Sequence, residues 1–252
     1  MLTAVVDAYR RTRKPKDILW NRWVARPLAA ALIVPLARTR ITPNQITLLT
    51  LPVFLAGAAL IAVGPGWGAL VGGAAVIELS YVLDCADGQL ARLKGTSSPA
   101  GAHLDFLMDE LKAFALVAAV ALRLWLVHRG DGAGGARWLV EGIAGLVIVA
   151  AAISLTTFMR RPEYAAATGA SVSHGAGDYG EGFDAGPAKA PSRSPLALVE
   201  ALGKLIVHYP SYILFVALAN RIDLFLHAYL VMNAAYAARA FLKVGRALGR
   251  RA

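Results

Sequence analysis

Long apolar stretches constrain this chain more than any other feature of its sequence. An α-helix needs about 20 consecutive apolar residues to cross the hydrocarbon core of a bilayer. Six such stretches occur, at 45–63, 67–91, 103–127, 138–159, 197–219 and 222–243. Membrane-spanning helices satisfy all their backbone hydrogen bonds internally. We therefore predict an all-α, polytopic membrane protein with six transmembrane helices.

The N-terminal residues are too polar to cross a membrane. Residues 1–17 predict a loosely ordered arm rich in basic side chains: Arg10, Arg11, Arg13, Lys14 and Lys16. From position 18 to 38, apolar residues alternate with arginines and include Trp20 and Trp23. This pattern is typical of an amphipathic helix that lies in the membrane interface. Pro27 is expected to bend or restart that helix.

The sequence divides into a basic N-terminal region, 1–40, and a six-span membrane domain, 41–252. Thr42 is expected to cap the first span, with Pro43 at its first helical position. Between the fourth and fifth spans, residues 165–195 are rich in glycine, alanine, serine and proline. This composition predicts a flexible loop.

The positive charge of the chain predicts its orientation in the membrane. The formal net charge is +10 at pH 7, yet the basic residues flank apolar spans, so we expect no nucleic-acid partner. Most of them fall on one side: the N-terminal arm, Arg92, Lys94, Arg160, Arg161 and the C-terminal tail. We expect this side, with both termini, to face the cytoplasm. The predicted location is the plasma or inner membrane.

Four aspartates at the ends of the second and third spans are the candidates for chemistry: Asp84, Asp87, Asp105 and Asp109. Spacings of three and four residues place the members of each pair on one helix face. Carboxylates at membrane depth are costly and mark functional sites, and four close negative charges repel one another unless cations neutralise them. Carboxylate oxygens favour Mg²⁺ or Mn²⁺, and four are enough for two ions. Two such ions would support an in-line displacement at phosphorus.

Small and basic residues between these pairs predict a phosphate-binding surface. Gly88 and Ala91 leave the helix surface bare, so a nucleotide can lie directly on it. Arg92 follows and is suited to a phosphate. Pro99 is expected to begin the third span, and a helix N-terminus also favours phosphate.

These residues form a recognisable pattern. Asp84-x-x-Asp87-Gly88-x-x-Ala91-Arg92, eight further residues, and then Gly101-x-x-x-Asp105-x-x-x-Asp109 resemble the signature of the CDP-alcohol phosphotransferase family. All eight signature residues occur at the family spacing. The six predicted spans and the interfacial helix also resemble that family.

The resemblance implies an enzyme that moves a phosphatidyl or other substituted phosphate group from a CDP-linked donor to an alcohol. CMP is released, in the synthesis of phospholipids or related phosphodiesters. The four aspartates would bind two Mg²⁺ or Mn²⁺ ions, and Asp109 would also accept the proton of the acceptor hydroxyl. The residues implied to bind CDP are Asp84, Asp87, Gly88, Ala91, Arg92 and Gly101, together with Asn44 and Thr47. The family also implies a homodimer.

Several alternatives stay open at this stage. Arg160, Arg161 and Arg193 could bind an anionic acceptor or serve as membrane anchors. The aspartates could form buried ion pairs, for which Lys112 and Arg92 offer partners. A Mg²⁺-dependent prenyl-diphosphate transferase usually carries a second aspartate-rich motif, and an ion-binding transporter usually shows inverted repeats; we find neither. The sequence does not fix whether CDP carries diacylglycerol or a headgroup.

Overall fold

The fold of the described residues is all-α, as predicted. The computed structural model describes residues 2–14, 17–169, 206 and 208–249, and no strand occurs among them. The α-helices are α1 (Leu2–Thr12), α2 (Arg26–Leu36), α3 (Pro43–Val63), α4 (Gly66–Lys94), α5 (Pro99–His128), α6 (Ala133–Met159), α7 (Pro162–Thr168), α8 (Ile213–Leu218) and α9 (Ile222–Gly249). A π-helical turn, Asn21–Ala25, precedes α2, and 3₁₀ turns occur at Arg129–Asp131 and Tyr209–Ser211.

Four of these helices, α3 to α6, are long and apolar enough to cross a membrane. They coincide with the first four predicted spans, and the chain is a polytopic membrane protein. The N-terminal part of the fifth predicted span, 197–219, lies outside the described residues, and α8 covers Ile213–Leu218 near its end. The sixth coincides with α9, which is 28 residues long but is not among the helices that are apolar enough to span. The count of six spans stays a prediction.

The chain divides into two compact units, residues 1–115 and 116–252. In the first unit, α3 and α4 form a tightly packed hairpin. A Cβ atom added at Gly57 would lie 2.8 Å from the carbonyl oxygen of Gly73, so these helices approach backbone to backbone. Small residues permit this close packing in membrane helices.

The ends of these helices follow the capping signals in the sequence. Thr42 Oγ1 accepts a hydrogen bond from Gln45 N, and Gln45 Oε1 accepts one from Thr42 N, which completes a capping box. Pro43 occupies the first helical position, as predicted. Helix α4 ends at Lys94 and is capped by Gly95, whose φ of +67° is the left-handed conformation that glycine adopts most readily.

Residues 2–12 of the N-terminal arm are helical rather than loosely ordered, which corrects the prediction for that part of the arm. Helix α1 buries Ala8 in an apolar cluster with residues of α2 and α4, among them Ile33 and Leu90. A helix of this length is marginal alone, so burial of one face stabilises it. The helix predicted over 18–38 is present as the π-helical turn and α2, and Pro27 stands in the first turn of α2. Its position in the membrane interface stays a prediction.

The second unit contains the C-terminal half of α5, followed by α6 to α9. Its helices also approach closely at glycines: a Cβ atom at Gly142 would lie 2.5 Å from that of Ala121. Trp138 on α6 has its ring centroid 5.7 Å from that of His128 and 5.5 Å from that of His227. The predicted loop at 165–195 begins within α7, which extends to Thr168, and residues 170–195 lie outside the described residues.

Candidate active site

The aspartates of the signature come from two consecutive helices of the first unit. Helix α4 carries Asp84 and Asp87 near its C-terminal end, and α5 carries Asp105 and Asp109 near its N-terminal end. One carboxylate oxygen each from Asp84, Asp105 and Asp109 lies within 4.8 Å of the others. Three of the four predicted metal ligands therefore converge on one point.

Lys112 is the basic partner of this carboxylate cluster. Its Nζ lies 2.5 Å from Asp84 Oδ1 and 3.2 Å from Asp109 Oδ1, and its side chain is only 1% exposed. Helical spacing places Lys112 one turn after Asp109, so the sequence already indicated this pairing. A single ammonium group cannot neutralise three carboxylates. Lys112 therefore satisfies the ion-pair alternative only in part.

The negative charge that Lys112 leaves unbalanced in the cluster fits a metal ion. Asp105 Oδ1 is buried and has no hydrogen-bond partner among the described residues. A buried carboxylate oxygen without a partner carries a large desolvation cost, which a bound cation would offset. The donors are all hard carboxylate oxygens, the set that Mg²⁺ and Mn²⁺ prefer. The residues present thus fit a divalent cation.

Asp87 lies outside the three-carboxylate cluster. It is 5% exposed, and its Oδ2 accepts a 2.5 Å hydrogen bond from the hydroxyl of Thr47, which is 3% exposed. Thr47 was predicted to reach the nucleotide, and the structure places its hydroxyl on this carboxylate. A hydrogen bond to a charged acceptor is strong, so Thr47 fixes the orientation of Asp87.

Gly88, Ala91 and Arg92 lie on the last two turns of α4. A Cβ atom at Gly88 would lie 3.5 Å from Arg92 Nη1, so the guanidinium group lies beside the bare surface that this glycine leaves. Arg92 Nε donates a 2.9 Å hydrogen bond to the carbonyl oxygen of Thr12. Arg92 thus contacts the N-terminal helix, whereas the ion-pair alternative expected it to contact one of the aspartates.

Gly101 and Asn44 are neighbours, although 57 positions separate them in the sequence. A Cβ atom at Gly101 would lie 3.1 Å from Asn44 Oδ1 and 3.3 Å from Ser98 Oγ. Ser98 Oγ accepts a 3.1 Å hydrogen bond from Gly101 N, and α5 begins at Pro99 as predicted. The absence of a side chain at Gly101 therefore allows the N-terminal turns of α3 and α5 to lie close together.

The basic residues proposed for the acceptor belong to the second unit or lie outside the described residues. Arg160 is the C-terminal cap of α6, and Arg161 is the N-terminal cap of α7. Both follow α6 directly, and α6 is apolar enough to span a membrane. Arg193 lies outside the described residues.

Comparisons with known proteins identify the family of the chain. The profile of the CDP-alcohol phosphatidyltransferase family matches residues 40–216. The chain is 31% identical over 119 residues to a phosphatidylinositol phosphate synthase of Corynebacterium glutamicum, an alignment that covers 47% of this chain and 48% of that protein.

Two further relatives are each named a bifunctional IPC transferase and DIPP synthase. That of Rubrobacter xylanophilus is 34% identical over 84 residues, which is 33% of this chain and 18% of that protein. That of Aquifex aeolicus is 30% identical over 92 residues, which is 36% of this chain and 20% of that protein. The chain therefore spans about half or less of the length of the curated relatives it matches.

Proposed function

Because the chain belongs to the CDP-alcohol phosphatidyltransferase family, we propose that it transfers a substituted phosphate group from a CDP-linked donor to an alcohol, in phospholipid synthesis. CMP is the second product. The observation that carries the proposal is the convergence of Asp84, Asp105 and Asp109, all members of the family signature, within 4.8 Å of one another.

Divalent cations are the proposed cofactors, as two Mg²⁺ or Mn²⁺ ions. Asp84, Asp105 and Asp109 would supply ligands from one cluster, and Asp87 would supply its carboxylate from the next turn of α4. When bound, such ions neutralise the diphosphate and stabilise charge on the attacking and leaving oxygens. Asp105 Oδ1, which has no hydrogen-bond partner in the described part of the chain, supports this assignment.

The proposed reaction is an in-line substitution at the phosphorus atom distal to cytidine. The oxygen of the acceptor hydroxyl forms a new P–O bond, the P–O bond to the CMP phosphate breaks, and the hydroxyl proton passes to Asp109. Asp109 is suited to this role because its side chain is 28% exposed, twice the exposure of Asp84 at 14%. The phosphodiester product keeps the substituent that the donor carried.

The nucleotide would bind along the surface of α4 between Asp84 and Arg92. Gly88 and Ala91 leave room for the diphosphate there, and the guanidinium of Arg92 beside Gly88 supplies a positive, bidentate donor. Asn44 and Gly101 would complete the site at the first turns of α3 and α5. Thr47 would act on the nucleotide through Asp87.

The relatives narrow the substrates worth testing. One is named a phosphatidylinositol phosphate synthase, and a product of that name contains a phosphatidyl group and a phosphorylated polyol. We therefore place CDP-diacylglycerol and inositol phosphate first in the substrate panel. The positive charges of Arg160, Arg161 and Arg193 are suited to an anionic acceptor of this kind.

The proposed setting is the plasma or inner membrane, with the aspartates facing the cytoplasm and the enzyme working as a homodimer. The distribution of basic residues beside the spans supports this orientation, and it gives access to cytidine nucleotides. No contact among the described residues favours a prenyl transferase or a transporter over the proposed transferase.

The test is the release of CMP by the purified full chain. CDP-diacylglycerol and a CDP-linked headgroup serve as donors, each with a panel that contains inositol phosphate, inositol, glycerol phosphate and serine. We expect CMP release that requires one donor and acceptor pair, stops with excess EDTA and returns with Mg²⁺ or Mn²⁺. Absence of CMP from every pair would refute the proposed reaction, and full turnover in EDTA would refute the metal assignment.

A further inference from the structure

The position of the Arg92 side chain depends on a residue 80 positions earlier in the chain. Arg92 Nε donates a 2.9 Å hydrogen bond to the carbonyl oxygen of Thr12, the last residue of α1. The last carbonyl groups of a helix have no partner within it and carry the negative end of the helix dipole. The end of α1 is therefore a favourable acceptor for a guanidinium group.

The other end of the same guanidinium lies beside the proposed diphosphate surface. A Cβ atom at Gly88 would lie 3.5 Å from Arg92 Nη1 and 3.8 Å from Nη2. A guanidinium group is planar and rigid, so fixing Nε also fixes the directions of the Nη donors. The contact with Thr12 thus sets the plane in which Arg92 can offer two hydrogen bonds to a phosphate.

Helix α1 is itself held in place by specific contacts. Ala8 is 6% exposed and packs in the apolar cluster with Ala25 and Ala29, while Thr12 is 1% exposed. The hydroxyl of Tyr9 donates a 3.0 Å hydrogen bond to the carbonyl oxygen of Arg22. An 11-residue helix is not stable alone, so these contacts determine where the Thr12 carbonyl lies.

We infer that α1 is a positioning element of the nucleotide site, which acts by holding the Arg92 guanidinium through the Thr12 carbonyl with its Nη donors directed at the diphosphate. This inference rests on the proposed function, which assigns Arg92 to CDP. Displacement of α1 should therefore weaken CDP binding and raise the KM of the donor, while kcat changes little because the carboxylate cluster is untouched.

The experiment is calorimetric titration of CDP, with Mg²⁺ present, into the full chain in detergent. Ala8→Gln inserts a larger polar side chain into the cluster under α1, and Ala4→Gln places the same change on the exposed face of the helix. We expect Ala8→Gln to raise the Kd of CDP about tenfold, the usual effect of losing a well-oriented hydrogen bond to a charged group. We expect the Kd of Ala4→Gln to match that of the wild type.

A second arm separates positioning from a general loss of structure. Lysine has no rigid fork for α1 to orient, so Ala8→Gln should change the Kd less than about twofold when it is combined with Arg92→Lys. A tenfold loss in both backgrounds would overturn the inference. If Ala8→Gln does not fold, Tyr9→Phe carries the comparison. The inference is supported if Tyr9→Phe raises the Kd of CDP in the wild-type background but not in the Arg92→Lys background. It is overturned if Tyr9→Phe leaves the Kd unchanged or raises it equally in both backgrounds.

The two proposals fail in different ways in this experiment. If the wild-type chain does not bind CDP, the nucleotide assignment falls, and the role of α1 falls with it. If the wild-type chain binds CDP and the effects of Ala8→Gln and Arg92→Lys are additive, only the role of α1 is refuted.

Discussion

Replacing Lys112 by methionine tests the electrostatic balance of the aspartate cluster. Methionine keeps an unbranched, flexible side chain of similar length and removes the ammonium group. The variant leaves Asp84 and Asp109 without the partner that lies 2.5 Å and 3.2 Å from them. Because Lys112 is only 1% exposed, water cannot replace it without local rearrangement.

The expected loss follows from these distances. At an effective dielectric constant of about 20, each contact corresponds to roughly 5–7 kcal/mol of attraction. The cost of desolvating the ammonium group and the two carboxylates offsets much of this attraction. Removing one partner of a buried ion pair therefore costs about 3–5 kcal/mol of stability. For a chain of this size, such a loss corresponds to a decrease in Tm of about 6–20 °C.

Divalent ions should reverse much of this loss, because they neutralise the same carboxylates. Removal of the positive charge of Lys112 also removes its repulsion of a bound cation, so the Kd for Mg²⁺ should fall about tenfold or more. The assay is thermal unfolding in detergent with EDTA and with a Mg²⁺ series, beside calorimetric titration of Mg²⁺. The control is Lys243→Met, on an exposed position of α9.

Two results would refute this reasoning. If Lys112→Met in EDTA were as stable as Lys243→Met, the ion pairs would contribute nothing to folding. If the Mg²⁺ affinity of Lys112→Met were unchanged, Lys112 would not share its carboxylates with the cation.

The remaining predictions address the base, the orientation and the helix packing. Asp109→Asn should keep a Kd for CDP within a few-fold of the wild type but lose turnover by about a hundredfold or more. Asp84→Asn, by contrast, should lose CDP affinity as well as turnover. Near-normal turnover of Asp109→Asn would refute its role as base. In intact cells, Gly130→Cys should react with an impermeant thiol reagent and Ala166→Cys should not. The native Cys85 is buried, so it should contribute little background reaction. The reverse pattern would invert the proposed orientation. Gly57→Ala should lower the free energy of unfolding by about 1–3 kcal/mol. Gly72→Ala should not, because the Cβ added there contacts no described atom outside its own helix turn. Equal stabilities of the two variants would contradict the close helix contact.

Local patterns in the sequence predicted the parts of the fold that depend on neighbouring residues. The first four spans follow from apolar length, and the start of α3 follows from Thr42 and Pro43. The aspartate cluster was predictable because spacings of three and four residues fix which side chains share a helix face. The position of the two pairs at the adjoining ends of two consecutive spans then indicated that they share one site.

Contacts between distant residues could not be predicted in the same way. Nothing in the spacing of the signature distinguishes Asp87 from Asp84, yet Thr47, 40 positions earlier, accounts for its different environment. The charge of residues 1–17 indicated a loosely ordered arm because the partners of Ala8 lie on other helices. The contact between Arg92 and Thr12 also depends on that packing.

The division of the chain into two units bears on how specificity can vary. All the residues proposed for metal and CDP binding lie in the first unit, 1–115, whereas Arg160 and Arg161 belong to the second, 116–252. In the proposed function, the signature binds the CDP part of the donor, so it would not select the acceptor. Acceptor choice must therefore depend on residues outside the signature. Substitutions at such residues can change the acceptor while the carboxylate cluster of Asp84, Asp105 and Asp109 stays intact.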